Sequence, residues 1–127
     1  AVLCLAGHPE AAGRLREDPA GVPGAIEEVL RYASPVQAVS RVAVQDVELA
    51  GQLIRAGEEV VAFIGSANRD AERFPDPDRF DIRRRPNPHI AFGLGEHFCL
   101  GAPLARLQAR VALTAVLRRF RGLEAVG

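Results

Sequence analysis

Cys99 is the residue in this chain best placed to do chemistry, because of the run that carries it: Phe92-Gly93-Leu94-Gly95-Glu96-His97-Phe98-Cys99-Leu100-Gly101. Leu100, Leu104, Leu107, Val111 and Ala115 then recur at steps of 4, 3, 4 and 4, the period of a helix face. That spacing predicts a helix running on from Leu100, with Cys99 at its N-terminus. Unpaired backbone N–H groups and the positive end of the helix dipole favour an anion there. A thiol in such a place is a strong soft-metal ligand or nucleophile. Gly93, Gly95 and Gly101 carry no side chains, so a broad, flat group can approach the backbone closely. A thiolate beside glycine-cleared space suits the axial face of a heme. The plainer alternative, a small buried hydrophobe at a helix start, does not explain the glycines.

The same ten residues closely resemble the heme-binding loop of the cytochrome P450 family, F-G-x-G-x-H/R-x-C-x-G, with every fixed position present. Upstream, Glu28-Val29-Leu30-Arg31 is similar to the family's Glu-x-x-Arg helix. Asp76-Pro77-Asp78-Arg79-Phe80 is similar to the segment that supplies a second arginine to that pair. Ala67-Asn68-Arg69-Asp70 and His89-Ile90-Ala91-Phe92 also resemble runs of bacterial members. The likeness extends in order along all 127 residues but covers only the C-terminal third or so of a family member. The chain therefore reads as a single partial domain, residues 1–127, cut from a mainly α fold with a small β region (α+β).

The resemblance implies heme b (iron protoporphyrin IX), with Cys99 as the proximal iron ligand and the catalytic residue. It implies that Arg41 and His97 meet the heme propionates, and that Phe92, Gly93 and Gly101 shape the cofactor loop. Glu28, Arg31 and Arg79 would form a buried structural charge network rather than a surface ion pair. His89 stays open between structural support and heme contact. Cys4 reads as core packing, Arg83-Arg84-Arg85 as a solvated face, and Glu96 as a loop side chain turned outward from the thiolate.

The activity so implied is that of a heme-thiolate monooxygenase, inserting one atom of O2 into a small organic substrate. Electrons would come from NAD(P)H through a reductase and a ferredoxin or similar redox partner. Val36 to Ser40 would face the substrate, and the segment alone is expected to be inactive. Two other classes compete: a non-catalytic heme protein (an electron carrier or gas sensor) and an inactive remnant. Intact Cys99, His97, Arg41, Glu28, Arg31 and Arg79 count against decay.

Composition narrows the field independently. With 48% apolar and 25% charged residues, the chain has the make-up of an ordinary globular domain. Sixteen basic residues, all arginine, balance 16 acidic ones, so no basic field recruits nucleic acid. Two cysteines 95 positions apart suggest neither a disulfide scaffold nor a zinc finger. There is no methionine, and Ala1-Val2-Leu3-Cys4-Leu5 lacks the charged flank of a signal peptide and the length of a membrane span. A cytoplasmic protein without membrane attachment is the expectation.

Several elements must position the cysteine loop. Residues before Gly7 read as the tail of a helix, and Pro9 to Glu17 as a short helix ended by Asp18-Pro19. A third helix, residues 23–33, starts near Pro23 and stops at Ser34-Pro35; Ile26, Val29, Leu30 and Ala33 form its apolar face. The period then falls to two across Val36, Ala38, Ser40, Val42 and Val44, which predicts a strand. Further strands are expected at Val47–Ala50 and Glu59–Ile64, between turns at Gly51 and Ala56-Gly57. Residues 71–91, with four prolines, read as a long ordered coil, and coils of that length are usually functional. The closing helix occupies 100–118.

Overall fold

The computed structural model of the chain describes residues 1–124. Its N-terminal part is helical: α1 (Val2–Ala6), α2 (Pro9–Glu17), a 3-10 turn (Pro19–Gly21) and α3 (Val22–Tyr32). Helix α2 opens on a proline and has Glu10 in its first turn and Arg14 and Arg16 in its last, charges that suit the helix dipole at both ends. The Asp18 carboxylate accepts the Ala20 N–H at 3.1 Å and starts the 3-10 turn. Helix α3 buries Val22, Ala25, Ile26 and Val29 against Leu5, Leu15, Leu113 and Leu117. Leu30, expected on that face, is only half-buried.

The middle of the chain makes two small antiparallel pairs. Strand β1 (Val39–Val42) pairs with β4 (Glu59–Ala62), Val39 opposite Ala62 and Val42 opposite Glu59. Between them β2 (Val47–Leu49) and β3 (Gln52–Ile54) form a hairpin. Its two-residue loop has φ +50° at Ala50 and +77° at Gly51, both positive as in a type I′ turn. Strand β3 has no counterpart in the sequence reading, because Ala50-Gly51 lacks the usual Asn-Gly turn signature. The first strand is also shorter than the alternation suggested. The Gln37 side chain donates to the Ser34 carbonyl, and the Gln37 carbonyl accepts from Gly65, so this stretch is tied to neighbouring segments instead of a strand. Strand β4 stops at Ala62, and Ile64–Ala67 turn into a short helix, α4.

From Asn68 to Gly101 the chain forms an ordered coil whose only helical piece is a 3-10 turn, Gly95–His97. Buried side chains hold it. Arg31 is fully buried and uses all five of its N–H donors, two on Glu28 and one each on the carbonyls of Asn68, Pro77 and Arg79. Buried Asn68 donates to Ser34 Oγ and accepts the Ile90 N–H, both at 2.8 Å.

The closing helix, α5 (Ala102–Arg119), corrects the sequence reading twice. It begins two residues after Leu100, which is 97% exposed. The face that packs on α3 carries Ala102, Arg106, Ala109, Leu113 and Leu117, while Leu104, Leu107 and Val111 stay exposed. Both sets step by 4, 3, 4 and 4 and are offset by two residues, about 200° around a helix. The helix is apolar on opposite sides, and periodicity alone selects neither. Among the described residues no helix is long and apolar enough to cross a membrane.

Candidate functional site

The cysteine loop owes its shape to two glycines. Gly93 has φ +76° and Gly95 φ +68°, a left-handed region that side chains disfavour. Around them the Gly93 N–H reaches the Ile90 carbonyl at 2.9 Å and the Phe98 N–H reaches Gly95 at 3.1 Å. The Cys99 N–H closes the loop onto the Phe92 carbonyl at 2.9 Å. Cys99 therefore lies three residues before α5 and not, as the leucine spacing predicts, at its N-terminus; its carbonyl accepts the Ala102 N–H at 3.1 Å. Gly101 caps the helix with φ −79°. A Cβ there would stand 3.8 Å from the Cys99 sulfur, in ordinary van der Waals contact with it.

The sulfur is a free, exposed thiol on a cleft of about 480 Å³. Leu30, Pro35, Val36, Val39, Ile64 and Ile90 supply apolar walls, and Phe92, Gly93, His97 and Cys99 supply the loop side. Arg41 joins from β1. Five of the residues singled out from sequence, Arg41, Phe92, Gly93, His97 and Cys99, thus share one cleft. No acid is among the residues lining it, and Glu96 is exposed. Arg41 donates one bond to the Ser40 carbonyl at 2.7 Å. Among the described residues no carboxylate pairs with it, which leaves most of its guanidinium fork for an anion.

Glu28 and Arg31 do not line this cleft; they are fully buried and joined at 2.9 Å through both carboxylate oxygens. The second arginine on Glu28 is Arg84, at 3.3 Å and nearly buried. Arg79, expected in that role, has an exposed side chain and contributes only its carbonyl, which accepts from Arg31 and Arg84. The Asp81 N–H and the Asn87 amide complete the shell of Glu28. Arg84 stands in a three-arginine run that reads as a solvated face, and nothing in the spacing marks its middle member as buried.

His89 belongs to a separate cluster and does not line the cleft. Its Nε2 is 3.0 Å from Glu27 on α3, which also receives a two-pronged contact from Arg106 on α5 at 2.7 and 2.8 Å. The Arg106 hydrogen bonds, with a smaller contribution from His89, hold the Glu27 carboxyl below its usual range against the opposing effect of burial. Neither Glu27 nor Arg106 stood out in the sequence, where both look like surface charges.

Residues 22–124 match the family model for cytochrome P450. The chain belongs to the cytochrome P450 family. It is 50% identical over 123 residues to the biotin biosynthesis cytochrome P450 of Bacillus subtilis (strain 168), covering 97% of this chain and 31% of that protein. It is 51% identical over 119 residues to the cytochrome P450 monooxygenase PikC of Streptomyces venezuelae, covering 93% of this chain and 29% of that one. Among solved structures, CYP109B1 of Bacillus subtilis superposes with a TM-score of 0.93 at 50% identity, over 97% of this chain and 34% of that chain. A P450BioI structure with an acyl carrier protein bearing hexadec-9Z-enoic acid gives 0.90 at 52% identity, over 93% and 31%. The chain thus spans about a third of the length of the P450 relatives it matches. Its helices and small antiparallel sheets are part of the P450 fold, and the family's cofactor is heme b.

Proposed function

We propose that the protein to which this segment belongs is a heme-thiolate monooxygenase, and that the segment supplies the proximal side of its iron site. The observation that carries the reading is the single apolar cleft onto which the free thiol of Cys99 and the unpaired cationic fork of Arg41 both open. Among the described residues no three His, Cys, Asp or Glu side chains are grouped to hold a metal.

Cys99 would hold the heme iron, its backbone fixed by the Phe92 carbonyl and the two left-handed glycines. Arg41 and His97 would hold the propionates, and Gly101 sets no side chain beside the sulfur, where a Cβ would stand at 3.8 Å. Val36 and Val39 extend the apolar wall from the cysteine loop toward the substrate. Heme supplies the oxygen chemistry when bound, and a thiolate ligand favours O–O cleavage. This chain's residues fix the sulfur, neutralise the propionates and exclude water from the apolar side.

Relatives named as a monooxygenase, an N-oxygenase and a hydroxylase support oxygen insertion over electron carriage or gas sensing. The substrate class is a small organic molecule. Reducing equivalents come from NAD(P)H through a reductase and a ferredoxin or similar carrier, and the setting is cytoplasmic. In the full-length protein, Cys99→Ser abolishes the thiolate signature in the spectrum of the reduced carbon monoxide complex. An unchanged spectrum refutes the assignment.

A further inference from the structure

We propose that Arg106 is a positioning residue for the Cys99 sulfur, acting through Phe92, and that Glu27 and His89 aim it. The inference rests on the reading that Cys99 ligates iron. Where Cys99 lies is set by where Phe92 lies, because the Cys99 N–H is held by the Phe92 carbonyl at 2.9 Å. Phe92 is only half-buried, so packing alone does not fix its ring. The Arg106 guanidinium sits over that ring, 4.6 Å from its centre, with the rings of His89 and Phe98 at 6.4 and 6.3 Å.

A cation over an aromatic face is attractive, but the attraction orients a loop only if the cation is itself fixed. Glu27 fixes it. Two parallel hydrogen bonds from one guanidinium to one carboxylate set the plane as well as the position of the arginine. Glu27 is held in turn by His89, whose ring is almost fully buried. The Ala91 N–H points at His89 Nδ1 at 3.2 Å, which places the ring proton on Nε2, where it donates to Glu27 at 3.0 Å. Ala91 immediately precedes Phe92. The cluster therefore grips the cysteine loop twice, by backbone at Ala91 and by ring at Phe92.

Tying α3 to α5 is not what the cluster is needed for. Those helices already share a buried face of Ile26, Val29, Leu113 and Leu117. Glu27 and Arg106 side chains are 30% and 37% exposed, and a pair that open to water adds little to stability. What the pair supplies is direction.

The test uses the full-length, heme-loaded protein and follows how fast the reduced carbon monoxide complex loses its thiolate signature, well below the melting temperature. Arg106→Ala should speed that loss about tenfold, the scale of one partly desolvated cation–ring contact. Arg106→Lys, which keeps charge but not the fork, should fall between the two. In a Phe92→Leu background, Arg106→Ala should add nothing, because the ring through which it acts is gone. An equal effect of Arg106→Ala in both backgrounds overturns the proposal and leaves Arg106 as a helix-to-helix tie. An unchanged rate in Arg106→Ala beside a normal wild-type spectrum overturns this inference alone. A wild-type protein without a thiolate signature overturns this inference and the functional reading together.

Discussion

Truncating Glu28 to alanine is the perturbation with the largest expected cost outside the cysteine loop. The carboxylate takes two of the five hydrogen bonds of Arg31, the 3.3 Å contact of Arg84, the Asp81 N–H at 2.8 Å and the Asn87 amide at 3.2 Å. Arg31 has no exposed surface, so water cannot replace what is lost. Orphaning one member of a buried ion pair costs about 3–5 kcal/mol, and Glu28→Ala should fall in that range. The same network sets a ranking of the arginines. Arg84→Ala removes one contact to Glu28 and three caps on the carbonyls of Pro75, Asp76 and Arg79; about 2 kcal/mol is expected, the scale of a hydrogen bond to a charged group. Arg79→Ala removes an exposed side chain and should stay within about 0.5 kcal/mol of wild type. Urea unfolding of the full-length variants, compared through midpoints at unchanged slope, gives the three values. A loss for Arg79→Ala equal to that for Arg84→Ala would refute the assignment of Arg84 as the second arginine. A Glu28→Ala protein as stable as wild type would refute the buried network altogether.

Arg106 holds the Glu27 carboxyl below its ordinary range, so the pair stabilises the fold above the unfolded-state value near 4.5. That contribution fades as pH falls through the lower folded-state value. The stability gap between wild type and Glu27→Gln should therefore narrow on acidification below about pH 4.5; a gap that widened would contradict the sign. Arg41→Gln should leave secondary structure by circular dichroism unchanged while heme transfer to an apo-globin acceptor speeds up, and equal transfer rates would remove Arg41 from propionate binding. Residues 1–127 expressed alone should self-associate in sedimentation and hold heme weakly, because Leu104, Leu107 and Val111 are exposed together along α5, with exposed Leu100 just before it. A monomer with one tightly held heme would show that the segment is self-sufficient.

How far the sequence could be read depended on whether the governing interaction is local. The run from Phe92 to Gly101 was legible because its glycines report backbone conformations that few other residues adopt. Helix α2 was legible from a proline at one end and Asp18-Pro19 at the other. Arg84 was not, because its burial depends on carbonyls brought round by the coil and on a glutamate 56 positions away. The partners Glu27 and Arg106 are 79 positions apart and carry no mark in either local pattern. The two apolar faces of α5 show a subtler limit, since periodicity reports that a face exists and not which neighbour covers it.

The way Arg31 gathers the coil bears on where this fold can change length. Its donors hold carbonyls at Asn68, Pro77 and Arg79, and a residue inserted between those anchors would carry at least one carbonyl off its donor. An unadorned coil is in this respect less free to grow than a strand. The hairpin of β2 and β3, almost wholly exposed and closed by a two-residue turn, carries no such anchors. Insertions, epitope tags and natural length variation should collect at Ala50-Gly51, while the stretch from Asn68 to Cys99 keeps its residue count.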